Sequence, residues 1–179
     1  MRRLSVAVAR SALSQGLDWN VNRPAACRAG FNGGGCVASP TVPDAERGAG
    51  IHVLRASATC RAWNGIQYKA GLAGRNVGSK QLSMNVATVP PGAIAYAHIH
   101  VDFEVMLYIL EGRVRHRFGD GLVHQVDNGP GDFIFIEPGV PHEVYNLSET
   151  ENLVAVVSRS DAGEWEHIVD YPSEHRPTS

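Results

Sequence analysis

Two stretches decide how this chain folds: GAIAYAHIHVDFEVMLYILEG (residues 92–112) and, 18 residues further on, GDFIFIEPGVPHEVYN (residues 131–146). The first is bounded by glycine at both ends and the second opens on one; each is rich in β-branched and aromatic side chains, and neither carries a helical period. Outward from them the pattern repeats: short apolar runs alternate with turn clusters such as Pro90-Pro91-Gly92, Glu111-Gly112, Gly119-Asp120-Gly121 and Asp127-Asn128-Gly129. Glycine supplies positive φ and proline a fixed φ at such corners. Strands are predicted over 51–55, 65–70, 81–89, 95–100, 103–110, 113–118, 122–126, 132–136, 142–147 and 152–158. So many short strands in one run make an all-β sandwich or barrel.

Within this frame, side chains can be assigned to faces by a period of two. Arg113, Arg115 and Arg117 alternate with Val114, His116 and Phe118, which places the arginines outside and His116 inside. The same rule turns Tyr96, His98, His100 and His124 inward, with Tyr108 depending on the register of its strand. His98 and His100 then project from one face roughly 6 to 7 Å apart, close enough to share a metal ion. Tyr96, on the face of His98, and His116 are the candidate catalytic groups of the pocket.

Read together, Gly92-x5-His98-x-His100-x3-Glu104 and Gly131-x7-Gly139-x2-His142-x3-Asn146 resemble the two motifs of the cupin superfamily, over about residues 80–158. The resemblance implies a double-sheet, jelly-roll-like β-barrel of the RmlC-like kind. It further implies a divalent transition metal (Fe(II), Mn, Ni, Cu or Zn) held by His98, His100, Glu104 and His142. Such an ion keeps coordination positions open for water, substrate or dioxygen. The implied activity is that of a metal-dependent enzyme on a small organic molecule, a dioxygenase-type oxidoreductase. A metal-dependent lyase or isomerase, or a non-catalytic small-ligand or metal-binding cupin, is the alternative.

The first motif departs from the family in one respect. Seven residues rather than six separate Glu104 from Gly112. Counted from the histidines, Glu104 shares their parity; counted back from Gly112, the family's carboxylate position falls on Val105. Glu104 therefore reaches a metal only if a bulge or the 101–103 turn absorbs the extra residue, because a shift of one reverses the face.

Composition narrows the partners. With a net charge of −2 the chain has no basic excess for a phosphate backbone, and nucleic acid is not expected. The longest apolar run, Val105 to Leu110, is far too short to span a bilayer, so no membrane association is expected. Cys27, Cys36 and Cys60 are odd in number and lack metal-site spacing, which suits a reducing, cytoplasmic setting without disulfides. Residues 1–48, arginine-rich and acid-poor with Gly33-Gly34-Gly35, read as a disordered or transit-like extension before one cupin domain over 49–179. The tail 159–179 is expected to pack on the barrel or a neighbour, with Trp165 as anchor. A homodimer is expected, using Ile51 to Leu54, Trp165 and Tyr171, with the arginine row meeting Glu164 and Glu166.

Overall fold

The computed structural model describes residues 45–55, 60–163 and 166–175. In chain order the strands are β1 (Glu46–Gly48), β2 (Ile51–Val53), β3 (Cys60–Trp63), β4 (Ile66–Leu72), β5 (Ser83–Val89), β6 (Ile94–His100) and β7 (Val105–Glu111). They continue with β8 (Val114–Phe118), β9 (His124–Asn128), β10 (Phe133–Ile136), β11 (His142–Asn146), β12 (Leu153–Arg159) and β13 (Ile168–Asp170). A single helical turn, α1 (Gly74–Val77), links β4 to β5. The all-β expectation holds, and every pairing is antiparallel.

A six-stranded sheet in the order β10-β7-β12-β5-β4-β3 and a five-stranded sheet in the order β13-β6-β11-β8-β9 enclose the core. Alternation generates it: in β12, Leu153, Ala155 and Val157 are buried, and they meet Val105 and Ile109 of β7, Ala87 and Val89 of β5 and Val114 of β8. Burying apolar side chains of this size contributes about 1.5 to 3 kcal/mol each, which is what holds the two sheets together. β1 and β2 make a separate hairpin, so the expected boundary of the extension at residue 48 falls inside a strand pair. The rest of that extension, 1–44, lies outside the described residues.

Two turns anchor the strands that matter below. Gly112 has φ +83°, and a Cβ there would lie 2.6 Å from the Asn152 carbonyl oxygen, so only glycine lets β7 turn into β8 beneath the 147–152 loop. Asn64-Gly65 joins β3 to β4 with φ +54° and +79°, the pattern of a two-residue hairpin. A Cβ on Gly65 would strike the Ile94 carbonyl oxygen at 2.1 Å, because this turn presses on the backbone of β6.

Sequence alone missed β1, β3 and β13. The Asn-Gly pair was the available signal for β3; β13 is three residues that pair at the outer edge of β6. Beyond β13, Tyr171 receives a hydrogen bond from the Gly121 N–H at 3.0 Å, and Ser173 donates to the fully buried Glu143 carboxylate at 2.6 Å. Trp165 and Glu164 lie outside the described residues. Within the chain Arg115 pairs with Asp127 and Arg117 with Glu174. Among the described residues no helix is long and apolar enough to cross a membrane.

Candidate metal centre

His98 and His100 sit at the end of β6 and His142 at the start of β11, directly across from His98 in the strand register. All three are buried, and their ring centroids form a nearly equilateral triangle with sides of 5.0, 4.3 and 4.7 Å. One ring nitrogen from each lies within 4.8 Å of the other two.

Backbone carbonyls set the ring orientations. His98 Nδ1 is 2.8 Å from the Tyr96 carbonyl oxygen, and His142 Nδ1 is 2.9 Å from that of Val140. A carbonyl only accepts, so both Nδ1 atoms carry the proton and both Nε2 atoms carry a lone pair, as a metal ligand requires. The Asn64 amide donates to the same Tyr96 carbonyl and so helps hold it in place. His100 is oriented by packing: its ring stacks on Phe103 at 5.0 Å, and its Nδ1 is buried without a hydrogen-bond partner.

Electrostatics keep His100 and His142 neutral. Burial pushes the His100 pKa far below the usual histidine range, with His142, His98 and Arg159 adding in that order. Burial lowers His142 as well, against its bond to Val140. Three imidazoles with converging ring nitrogens fit a divalent transition metal, which resolves their mutual crowding better than protonation could.

Glu104 is not part of this constellation. The 101–103 turn, with Asp102 at φ +62°, brings Phe103 and Val105 inward instead, and the Glu104 side chain is exposed. Val105 occupies the cavity wall. Counting back from Gly112 therefore finds the right register, and the carboxylate expected from the first motif is replaced by an alkyl group.

Tyr96 also departs from its expected place. His142 pairs with His98 but Val144 pairs with Ala95, so Tyr96 and Ala97 of β6 face the single residue Glu143 of β11. This bulge reverses parity between Ala95 and His98. Ala95 is core, whereas the Tyr96 ring lies against Gly65 and does not line the cavity. What Tyr96 contributes is its carbonyl. His124, likewise expected inside, is exposed beside Phe118, and Tyr108 faces outward against Phe133.

His116 lies where alternation puts it, in the cavity wall. It is buried, neither ring nitrogen makes a hydrogen bond of good geometry, and burial followed by the proximity of His142 lowers its pKa to about 4 against a weak opposing interaction with the Asn128 side chain. The inner cavity is narrow, about 60 Å³, and adjoins an apolar recess of about 290 Å³ that shares His116, Ile136 and His142 as walls. Sequence reasoning missed one polar group of the inner cavity, Arg159. Its strand was ended at residue 158, although Leu153, Ala155 and Val157 set the parity that carries Arg159 inward.

Residues 85–158 match the family described as Cupin domain. Quercetin 2,3-dioxygenase of Escherichia coli (strain K12) is 39% identical over 56 residues, which are 31% of this chain and 24% of that protein. Among solved structures, oxalate decarboxylase of Lactobacillus farciminis in a formate complex superposes with a TM-score of 0.53 at 14% identity, over 62% of this chain and 32% of that one. Bacillus subtilis oxalate decarboxylase, a protein with Mn(II) centres, gives 0.51 at 23% identity, over 62% and 29%. The chain thus spans about a quarter to a third of the length of these relatives, and the structural likenesses are likenesses of fold.

Proposed function

Since the chain belongs to the cupin superfamily through residues 85–158, we propose that it is a metal-dependent enzyme acting on a small organic molecule, in a dioxygenase-type reaction. The observation that carries this reading is the His98, His100 and His142 triangle with two of its tautomers locked by backbone carbonyls. A divalent ion held by His98, His100 and His142 would supply Lewis acidity and coordination positions open to substrate or O₂. The protein's part is to present three neutral donors, to keep the surroundings dry and to limit what enters. Val105, Ile109, Val114 and Ile136 exclude water, and the apolar recess admits an organic body. The short match to quercetin 2,3-dioxygenase supports the reaction class.

Elemental analysis of purified protein, followed by oxygen-electrode assays with small organic acids and phenols, tests the reading. About one divalent metal per chain and substrate-dependent oxygen uptake are expected. His116 favours a second reading, a metal-dependent lyase or isomerase: a buried neutral imidazole with neither nitrogen in a hydrogen bond of good geometry is suited to take a proton from a bound substrate. Turnover under nitrogen, lost in His116→Gln, would select it.

A further inference from the structure

Glu143 follows His142 in β11, so alternation sends the imidazole into the cavity and the carboxylate to the outer face of the five-stranded sheet. A carboxylate on an outer face normally meets water, yet Glu143 is fully buried. The chain beyond β13 supplies its partners. Ser173 Oγ donates to Glu143 Oε1 at 2.6 Å, and His175 Nδ1 lies 3.4 Å from Oε2. The Tyr145 hydroxyl donates to Oε2 and is itself 3.0 Å from His175 Nδ1. Burying a carboxylate is costly unless it is hydrogen-bonded, and here both oxygens are served. Residues 171–175 run as a strap over β6, β11 and β8, tied down further by Tyr171 at Gly121 and by Glu174 at Arg117.

The strap lands where the strand ladder is weakest. Between the His98–His142 and Ala95–Val144 pairs, Tyr96 and Ala97 face Glu143 alone, and a bulge interrupts the regular backbone bonds. Both sides of that gap are held from the tail: Tyr171 N–H donates to the Ala97 carbonyl at 3.0 Å, and Ser173 holds Glu143. Ala97 precedes His98 and Glu143 follows His142, so each anchor is one peptide from an imidazole. We propose that Glu143 is a positioning residue of the metal centre, through which the strap 171–175 fixes His142 from the outer face. The role rests on the metal reading above, whereas the anchoring of the His142 ring can be measured without a metal. Groups that orient ligands in this way set metal affinity through geometry alone.

The test uses Co(II) on full-length protein, with its visible spectrum as the report on ligand geometry and competition against a chelating dye as the report on affinity. Glu143→Leu keeps the bulk and removes the anchor, and is expected to weaken Co(II) by about 10-fold or more and to alter the spectrum. Glu143→Gln still accepts from Ser173 and should restore both. Ser173→Ala combined with His175→Ala leaves β11 untouched, serves where Glu143→Leu fails to fold, and should repeat its effects. Arg115→Gln, which opens an exposed ion pair on the same face, should change neither affinity nor spectrum. Wild-type affinity and spectrum in the Ser173/His175 double variant overturn the proposal, as does an equal loss in Arg115→Gln. Wild-type protein that takes up no Co(II) overturns the metal reading instead. The ring resonances of His142 in protein with isotope-labelled histidine then decide the strap: a shift in the double variant upholds it, and unchanged resonances overturn it.

Discussion

His142 is the direct cross-strand partner of His98, so two of the three imidazoles owe their meeting to the register of β11 on β6 rather than to a loop. That register is itself held by Tyr145 opposite Ile94 on one side of the bulge and by β8 on the other edge of β11. A site mounted on paired strands is more rigid than one mounted on loops, and its ligands should act as a unit.

Replacing His98, His100 and His142 together by alanine should remove the metal and leave a β-rich far-UV spectrum, because the apolar core supplies most of the stability. Metal retained at one per chain in the triple variant would refute the assignment.

Glu104→Gln should leave metal content unchanged and alter stability by no more than about 0.5 kcal/mol, as expected of an exposed side chain. Val105→Glu, in contrast, puts a carboxylate into the wall facing the imidazoles. Competition against a chelating dye should show tighter metal binding for Val105→Glu and none for Glu104→Gln.

Metal-free protein should lose stability on acidification. Folded His116 stays neutral down to about pH 4, whereas an unfolded histidine takes up its proton near 6.5. The unfolded chain binds more protons between those values, so the stability is full above about pH 6.5 and falls as pH drops toward 4. His142, also depressed, acts in the same direction. His116→Leu should flatten the pH profile of the thermal midpoint, by an amount on the order of 3 kcal/mol across the window.

Gly65→Ala should destabilise the fold by about 2 kcal/mol or more, since it combines a strained positive φ with a clash on the Ile94 carbonyl. Displacing β6 there also moves the Tyr96 carbonyl, so metal affinity should fall about 10-fold or more. Thermal melts and metal titration of the same variant check both effects.

A homodimer is expected by light scattering at tens of micromolar. The outer face of the six-stranded sheet exposes Met84, Met106, Leu110, Phe133 and Phe135, an apolar surface of the kind that a second copy covers. Phe133→Lys combined with Phe135→Lys should yield monomer, and an unchanged mass would move the interface elsewhere.

Much of this architecture was legible beforehand because side-chain alternation and turn residues are local signals. Strands over 81–89, 113–118, 142–147 and 152–158 were placed to within two residues, and His98, His100, His116 and His142 all face the cavity. Two of the misplaced residues, Tyr96 and Glu104, share one cause. Both were assigned by counting from His98 and His100, and parity does not survive a bulge at Tyr96-Ala97 or a left-handed Asp102. Both irregularities depend on partners distant in sequence: β11 for the first, and for the second Ser160, whose Oγ accepts from the Glu104 N–H and whose own N–H donates to the Glu104 carbonyl. Arg159 was overlooked because a charged residue at a strand end looks like a boundary.

The pairing of β13 with β6 gives the centre a remote readout. Val101 N–H donates to the His167 carbonyl at 2.8 Å and Tyr171 N–H to the Ala97 carbonyl at 3.0 Å, one at each end of the pairing along the edge of the strand that carries His98 and His100. Amide protons in these bonds exchange with solvent only when the two strands part. The exchange rate of the Tyr171 amide, followed by mass spectrometry on the C-terminal peptides, should therefore slow when the imidazoles are tied together and quicken when they are released, so that loading of a buried ion becomes visible from the far end of the chain.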